Sequence, residues 1–432
     1  MTEKQLTTHV AGLHGQLTMP GDKSISHRAV MLGSVAVGQT VINGILDSDD
    51  VRSTLQAMQA MGVQAQWEAD QVTITGRSLT TLQAPQAPLD MGNSGTSTRL
   101  LMGLLAKQPF DISFIGDASL SQRPLGRVIK PLTAMGAQFE AQDGKLPATK
   151  LATTALKGIR YELPVASAQV KSALILAGLQ AETPTTIIEP LATRDHTERM
   201  LAQFGVPLTR QGNEITIQPN THLQGTTVEV PGDISSAAFW LVAGLIVPNS
   251  QLTLRKVGLN PTRTGIITLL NRMGATFTKQ QVHEVGEPYA DLVVTTQNLQ
   301  GITVTAADIP AAVDEIPMLV LAATQAQGDT LITGAGELRV KETDRIATVT
   351  SQLNKLGARI EAREDGFLVH GGTPLHVDVP TQVDSFGDHR IGMMLAIAAL
   401  LTTGDTVTLA NAAAVSVSYP SFFTDLERVI NG

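Results

Sequence analysis

Two stretches of this chain share one layout: GQLTMPGDKSISHRAVML at residues 15–32 and TTVEVPGDISSAAFWLVAGL at residues 226–245. Each has an alternating polar–apolar run, then Pro-Gly-Asp and small polar residues, then an apolar segment of helical length. The alternation reads as a half-buried strand, the Pro-Gly-Asp as a turn leading to a capping residue, and the apolar segment as the helix it caps. The layout recurs, with other turn residues, in MGNSGTSTRLLMGLL from Met91, LPVASAQVKSALILAGL from Leu163, IPAAVDEIPMLVLAATQ from Ile309 and VDSFGDHRIGMMLAIAALL from Val383. The copies follow one another at about 70-residue intervals, the signature of a repeat architecture.

Behind each apolar helix come a Gly- or Pro-bearing turn and a β-branched run, such as GQTVINGI, ETPTTIIEP, SQLTLRKV, GDTLITGAG and GDTVTLAN, which suit strands. A second helix follows, ending in five copies at an apolar–Gly–small triplet: Met61-Gly62-Val63, Met135-Gly136-Ala137, Phe204-Gly205-Val206, Met273-Gly274-Ala275 and Leu356-Gly357-Ala358. Glycine there supplies the left-handed residue that closes a helix. The unit is strand–helix–strand–helix–strand, and the fold class is α/β with two halves of three units each. Residues 20–230 form the first half, and residues 1–19 plus 231–432 the second. The crossings near 18–21 and 229–232 are expected to act as hinges, and the residues before Pro20 to lend a strand to the second half.

Composition narrows the function. The 432 residues are 43% apolar, which excludes wholesale disorder and supports full-sized cores. The absence of Cys excludes disulfides, thiolate metal sites and a cysteine nucleophile or acid. A net charge of −8 argues against general nucleic-acid or anionic-membrane binding and makes each local cationic cluster more informative. The longest apolar runs, 237–247 and 391–401, fall short of the roughly 18 residues of a spanning helix. The opening MTEKQLTTHVAGLHG has no signal-peptide layout, so a soluble cytoplasmic protein is expected, with neither nucleic acid nor membrane as partner.

The helix starts carry the candidate chemistry, because a helix N-terminus presents unpaired N–H groups and a partial positive charge. The first copy places Lys23, Ser24, Ser26 and Arg28 there, the second Asn93, Ser94, Gly95 and Thr96, the third Ser167, Gln169 and Lys171, and the sixth Asp388, His389 and Arg390. The fourth, GDISSAAF, lacks cations and reads as structural. Residues 338–346, LRVKETDRI, gather Arg339, Lys341, Glu342, Asp344 and Arg345 around a helix beginning, with ion pairs within one turn as the plainer reading. Asp314 and Glu315 lie in AAVDEIPMLVLA, apolar enough to raise a carboxylate's pKa and suit a base, with a plain carboxylate at a helix N-terminus equally consistent with the sequence. Arg123-Pro124 holds an arginine in a rigid turn suited to phosphate or carboxylate. There is no P-loop, HExxH or Cys/His metal spacing. These features describe a two-lobed repeat protein that grips a multiply anionic small molecule.

Together, PGDKSISHR, GNSGTSTR, the Arg123-Pro124 turn, SAQVKSALILAGL, LRVKETDR and GDHR resemble the 5-enolpyruvylshikimate-3-phosphate synthase family, from Pro20 to Tyr419-Pro420. The NSGT and SAQ strings resemble one bacterial subgroup of it. The resemblance implies a two-domain inside-out α/β barrel of six βαβαββ units. It implies transfer of the enolpyruvyl group of phosphoenolpyruvate to the 5-hydroxyl of shikimate 3-phosphate, in the shikimate pathway, by a monomer without metal or organic cofactor. By motif position it assigns Lys23, Ser24, Arg28, Ser167, Ala168, Gln169, Arg194, Asp314 and Lys341 to shikimate 3-phosphate. Lys23, Gly95, Arg123, Gln169, Arg345 and Arg390 go to phosphoenolpyruvate, and Asp314, Glu342 and Lys23 to catalysis. Asp314 resembles the acceptor of the hydroxyl proton, and Glu342 the group that exchanges a proton with the methylene carbon. The chain departs from the family at Ala168, where many members have serine, at Val417, where some have lysine, and at Glu337, where some have asparagine. Arg194 is the candidate to compensate at the substrate phosphate. Two rival readings are the related transferase acting on UDP-N-acetylglucosamine, which typically uses a cysteine acid, and a non-catalytic anion-binding repeat protein.

Overall fold

A computed structural model of the chain describes residues 3–219 and 221–432 and divides into two compact units. One comprises Gly21–Val230 with Val285–Glu287; the other comprises the described part of Met1–Pro20, Pro231–Glu284 and Pro288–Gly432. Two boundaries differ from the sequence expectation. Pro20 belongs with the second set, since its carbonyl accepts from Asp233 N at 2.8 Å. Val285–Glu287 belongs with the first, where Glu287 Oε1 lies 2.8 Å from His196 Nδ1.

In the Gly21–Val230 unit the helices are α1 (Lys23–Val35), α2 (Asp49–Ala60), α3 (Gly95–Leu104), α4 (Gly126–Ala134), α5 (Ala168–Gly178) and α6 (His196–Gln203). Three sheets share one strand order. In the second repeat, Leu89–Asp90 runs parallel to Ile112–Ile115, which is antiparallel to Ala148–Lys150, itself antiparallel to Phe139–Ala141. The third repeat does the same with Arg160–Glu162, Thr185–Ile188, Glu214–Ile217 and Thr209–Gln211. The first repeat borrows its opening strand, Thr227–Glu229, from the far end of the unit and pairs it with Val37–Asn43. Each unit is therefore βαβαββ, one strand more than the residue pattern alone indicated. The extra strand hides behind two-residue turns such as Ala69-Asp70, where Ala69 takes φ 51° without a glycine to announce it.

The other unit repeats this with α7 (Ile234–Ile246), α8 (Gly265–Arg272), α9 (Ile316–Thr324), α10 (Arg345–Lys355), α11 (His389–Ala399) and α12 (Phe422–Asn431). Its fourth repeat opens with His14–Thr18, parallel to Gln251–Gly258. The sixth departs from the pattern: among the described residues its sheet has three strands, with Thr381–Asp384 parallel and Glu3–Gln5 antiparallel to Val407–Ala410. The five predicted closing glycines, Gly62, Gly136, Gly205, Gly274 and Gly357, have φ between 86° and 104°, the left-handed conformation that caps orphan carbonyls.

The first helix of each repeat lies inside and the sheets outside. Every residue of α7 and α9 is buried, as befits helices apolar on all faces, and each unit has its own hydrophobic core. Close approach is written into small residues. A Cβ on Gly103 of α3 would sit 2.2 Å from the Ala173 carbonyl oxygen of α5. Among the described residues no helix is long and apolar enough to cross a membrane.

Candidate functional site

In the Gly21–Val230 unit the N-terminal ends of α1, α3 and α5 carry the candidate residues. Each end is held by a side-chain cap: Asp22 accepts from Ile25 N (2.9 Å), Ser94 from Ser97 N (3.1 Å) and Ser167 from Val170 N (3.5 Å). Lys23 forms an ion pair with Asp50 on α2. Arg28, one turn further along α1, is buried. It donates from Nε to Thr197 Oγ1 (2.7 Å), from Nη2 to Ser172 Oγ (2.7 Å) and from Nη1 to Ser24 O (2.9 Å). Burial pushes its pKa down to about 10, which leaves it charged near neutrality.

Gly95 is the first residue of α3. A Cβ there would lie 2.6 Å from Arg99 Nη1 and 3.6 Å from Arg123 Nη1, so glycine leaves room for two guanidiniums beside the helix start. Arg123, in the turn before α4, donates from Nη2 to Asn93 Oδ1 (2.8 Å), and Asn93 Nδ2 donates to Asp117 Oδ2 (2.6 Å). Gln169, in the first turn of α5, accepts from Arg99 Nη1 (2.9 Å) and donates to Thr96 Oγ1 (3.1 Å). Ala168 brings no hydroxyl, and Arg194 sits half-buried just ahead of α6.

Beneath these ends runs a buried chain of hydroxyls. Ser97 Oγ donates to Ser94 Oγ (2.7 Å), Thr54 Oγ1 lies 2.6 Å from Ser97 Oγ, and His27 Nδ1 lies 2.8 Å from Thr54 Oγ1. Each hydroxyl has one proton, so the contacts are all satisfied when Thr54 donates to Ser97 and His27 carries its proton on Nδ1. Burial first, then Lys23, lowers the His27 pKa to about 3, and the ring stays neutral. The cap of α3 is thereby tied to α1 and α2.

In the other unit the candidates gather at the starts of α9, α10 and α11. Arg345 opens α10 and is 1% exposed. Its Nε donates to Asp388 Oδ2 (2.8 Å) and its Nη2 to Glu342 Oε2 (2.7 Å). Its Nη1 lies 3.7 Å from Asp314 Oδ1, without a hydrogen bond. Asp388 also caps α11, accepting from Arg390 N (2.9 Å), and Arg390 Nη1 donates to Asp314 O (3.3 Å). Burial would raise the Glu342 pKa, but Arg345, His389 and Arg390 outweigh it and hold the carboxyl at about 2. Burial likewise opposes the Arg345 charge, yet Glu342, Asp388 and Asp314 raise its pKa above the ordinary arginine value. Lys341 Nζ lies 3.2 Å from Glu337 Oε1.

Several residues differ from expectation. Asp314 is in a turn before α9 with two guanidiniums near its carboxylate, at 3.7 and 4.0 Å, rather than in apolar surroundings. The fourth copy does have a cation: Arg263, from a loop, donates to Asp233 Oδ1 (3.1 Å) and Ser235 Oγ (2.8 Å). Lys171 points inward, between Glu189 (2.9 Å) and Glu198 (2.8 Å), with its side chain wholly buried. Arg339 is engaged by the Glu364 and Arg363 carbonyls and by Asp344. Sequence reasoning missed Arg99 as part of the constellation, and the available signal was its place in GNSGTSTR, an arginine four residues beyond Gly95.

The arrangement offers, in one unit, three side-chain-capped helix starts with Lys23, Arg28, Arg99 and Arg123, and in the other a carboxylate pair bracketing Arg345. The family model for EPSP synthase (3-phosphoshikimate 1-carboxyvinyltransferase) matches residues 7–426. A 3-phosphoshikimate 1-carboxyvinyltransferase of Leuconostoc mesenteroides is 59% identical over 420 residues, covering 97% of this chain and 96% of the relative. One from Bacillus cereus is 51% identical over 431 residues, covering 99% and 100%. The solved EPSP synthase of Acinetobacter baumannii superposes with a TM-score of 0.90 at 42% identity, covering 99% of this chain and 98% of that one. The enolpyruvyl transferase NikO of Streptomyces tendae, at 18% identity and a TM-score of 0.80, shares the fold. With matches of this extent the chain belongs to the EPSP synthase (3-phosphoshikimate 1-carboxyvinyltransferase) family.

Proposed function

We propose that this chain transfers the enolpyruvyl group of phosphoenolpyruvate to the 5-hydroxyl of shikimate 3-phosphate, releasing phosphate, with Asp314 and Glu342 as its proton-transfer groups. The observation that carries the residue assignment is the buried Arg345, 2.7 Å from Glu342 and 3.7 Å from Asp314. A cation so placed suits the carboxylate or phosphate of phosphoenolpyruvate between two groups that can move protons. Glu342 gives a proton to the methylene carbon, which places cationic character on the neighbouring carbon. The 5-hydroxyl oxygen bonds to that carbon as its proton passes to Asp314, giving a tetrahedral ketal that still holds phosphate. The carbon–oxygen bond to phosphate then breaks, phosphate leaves with the electron pair and takes up the proton held by Asp314, and the methyl group returns its proton to Glu342. Arg123, Arg345, Arg390 and the α3 start at Gly95 stabilise the charge on the departing phosphate. Lys23, Ser24, Arg28, Ser167, Gln169, Arg194 and Lys341 hold shikimate 3-phosphate, and Lys23 and Gln169 also reach phosphoenolpyruvate.

The test is release of inorganic phosphate from phosphoenolpyruvate by the purified protein. Release is expected only with shikimate 3-phosphate as acceptor; release with UDP-N-acetylglucosamine instead, or with neither, rejects the reading. In the same assay Asp314→Asn, which keeps shape and removes the base, is expected to lower kcat by roughly 100- to 10,000-fold. Near-normal turnover would remove Asp314 from the mechanism.

A further inference from the structure

Arg99 has an odd position for a buried guanidinium. It is 6% exposed, and among the described residues no carboxylate forms an ion pair with it. Its Nη1 donates to Gln169 Oε1 (2.9 Å) and to Gly95 O (3.4 Å), its Nη2 to Pro124 O (3.4 Å), and its Nε has no partner. Arg123 and Arg127 lie close enough to oppose its charge, and burial opposes it more. A buried charge without a counter-ion is costly, and it persists where it serves a purpose.

Arg99 links three elements that meet the ligand in the reading above: the α3 start at Gly95, the Arg123-Pro124 turn and Gln169 at the start of α5. A glutamine amide has an accepting oxygen and a donating nitrogen of nearly equal size, and the amide can turn over. A guanidinium only donates, so beside Arg99 the oxygen must face inward and the nitrogen outward. One N–H of Gln169 Nε2 goes to Thr96 Oγ1 at 3.1 Å, which leaves the second for a ligand. A turned amide would offer oxygen to an anion.

We propose that Arg99 is a positioning residue that fixes the side-chain amide of Gln169 with its N–H toward the anionic substrates. The inference rests on the placement of Gln169 in the site. Losing the orientation forfeits one hydrogen bond to a charged group, which corresponds to roughly a 10- to 100-fold loss in kcat/KM for phosphoenolpyruvate.

The experiment is a double-mutant cycle in the phosphate-release assay, with Arg99→Met, Gln169→Ala and the double variant, each checked for native thermal unfolding. Gln169→Ala is expected to lose roughly that factor, Arg99→Met a similar one, and the double variant no more than the worse single. Arg99→Lys keeps a donor-only cation and is expected to recover most of the activity. This variant, which keeps the charge, also carries the test if Arg99→Met does not fold: activity as low as Gln169→Ala in a folded Arg99→Lys protein overturns the proposal. Fully multiplicative losses in the double variant overturn it too, because Arg99 then acts by its own charge. Unchanged kinetics in Gln169→Ala remove Gln169 from the site and fail the underlying reading, which distinguishes the two.

Discussion

Glu342 faces Arg345, His389 and Arg390, and in the ligand-free protein it is ionised, with its pKa held at about 2. In the proposed mechanism Glu342 donates a proton, which needs that field reduced. There, the phosphate and carboxylate charges of phosphoenolpyruvate would neutralise the guanidiniums, and burial, which favours the neutral carboxyl, would gain the upper hand. Binding of an unreactive phosphoenolpyruvate analogue with shikimate 3-phosphate is therefore expected to take up a proton at mildly acidic pH. Calorimetry in two buffers of different ionisation enthalpy reads it, and uptake equal in wild type and Glu342→Gln would exclude Glu342 as its source. The same shift sets a stability dependence. A carboxyl whose folded pKa lies below the ordinary value of 4.5 stabilises the protein above pH 4.5, and that contribution is lost as the pH falls through about 2. Glu342→Gln should flatten this part of the acid-unfolding curve.

At the scale of elements, the contact of α3 with α5 sets the spacing of two candidate helix starts, because Gly95 and Thr96 open one helix and Gln169 the other. Gly103 makes the contact close, with no space for a Cβ before the Ala173 carbonyl. Gly103→Ala must push two backbones apart, and overpacking of this kind costs about 1–3 kcal/mol. The separation should also lengthen the Gln169–Thr96 and Gln169–Arg99 hydrogen bonds, so KM for phosphoenolpyruvate should rise along with the fall in thermal stability. A variant as stable and as active as wild type would show that α5 shifts without cost. Capping works at the same scale: Ser94 holds the first turn of α3 and is itself held by Ser97, Thr54 and His27. A glycine-rich start is thus kept rigid by hydroxyls on two helices.

At the scale of the molecule, each unit has a core of its own, one built on α1, α3 and α5 and the other on α7, α9 and α11. The candidate residues are divided between the units, Lys23, Gly95, Arg123 and Gln169 in one and Asp314, Glu342, Arg345 and Arg390 in the other. Two cores without a common interior should unfold as separate cooperative blocks, so the ligand-free protein should depart from two-state behaviour. Scanning calorimetry should find a van 't Hoff enthalpy below the calorimetric enthalpy. If the residue assignment proposed above is right, shikimate 3-phosphate with a phosphoenolpyruvate analogue should bring the ratio toward one, since a ligand stabilises whatever must be folded to bind it. A single two-state transition without ligand would refute the independence of the blocks.

The repeats were legible because they are local: a strand period, a capping residue, an apolar helix and a closing glycine lie within a few dozen residues. The sixfold layout and the polar starts of α1, α3, α5 and α11 follow from those periods alone, and the triplets at Gly62 through Gly357 take the predicted backbone form. What each charge does was not legible. Lys23 and Lys171 both follow a polar cap, yet Lys171 is enclosed between Glu189 and Glu198, while Lys23 keeps a side chain 28% exposed beside Asp50. Arg339 and Arg345 are six residues apart in one string; backbone carbonyls engage the first, while the second lies between Asp388 and Glu342. Arg263 joins Asp233 from 30 residues away, and Arg99 joins Gln169 from 70. Periodicity is encoded by neighbours in the chain, and so sequence by itself determined the fold class, the six units and the polar helix starts. The partner of a buried charge is chosen by whatever packing brings within 3 Å, and only the tertiary structure decided which cations are consumed inside the protein.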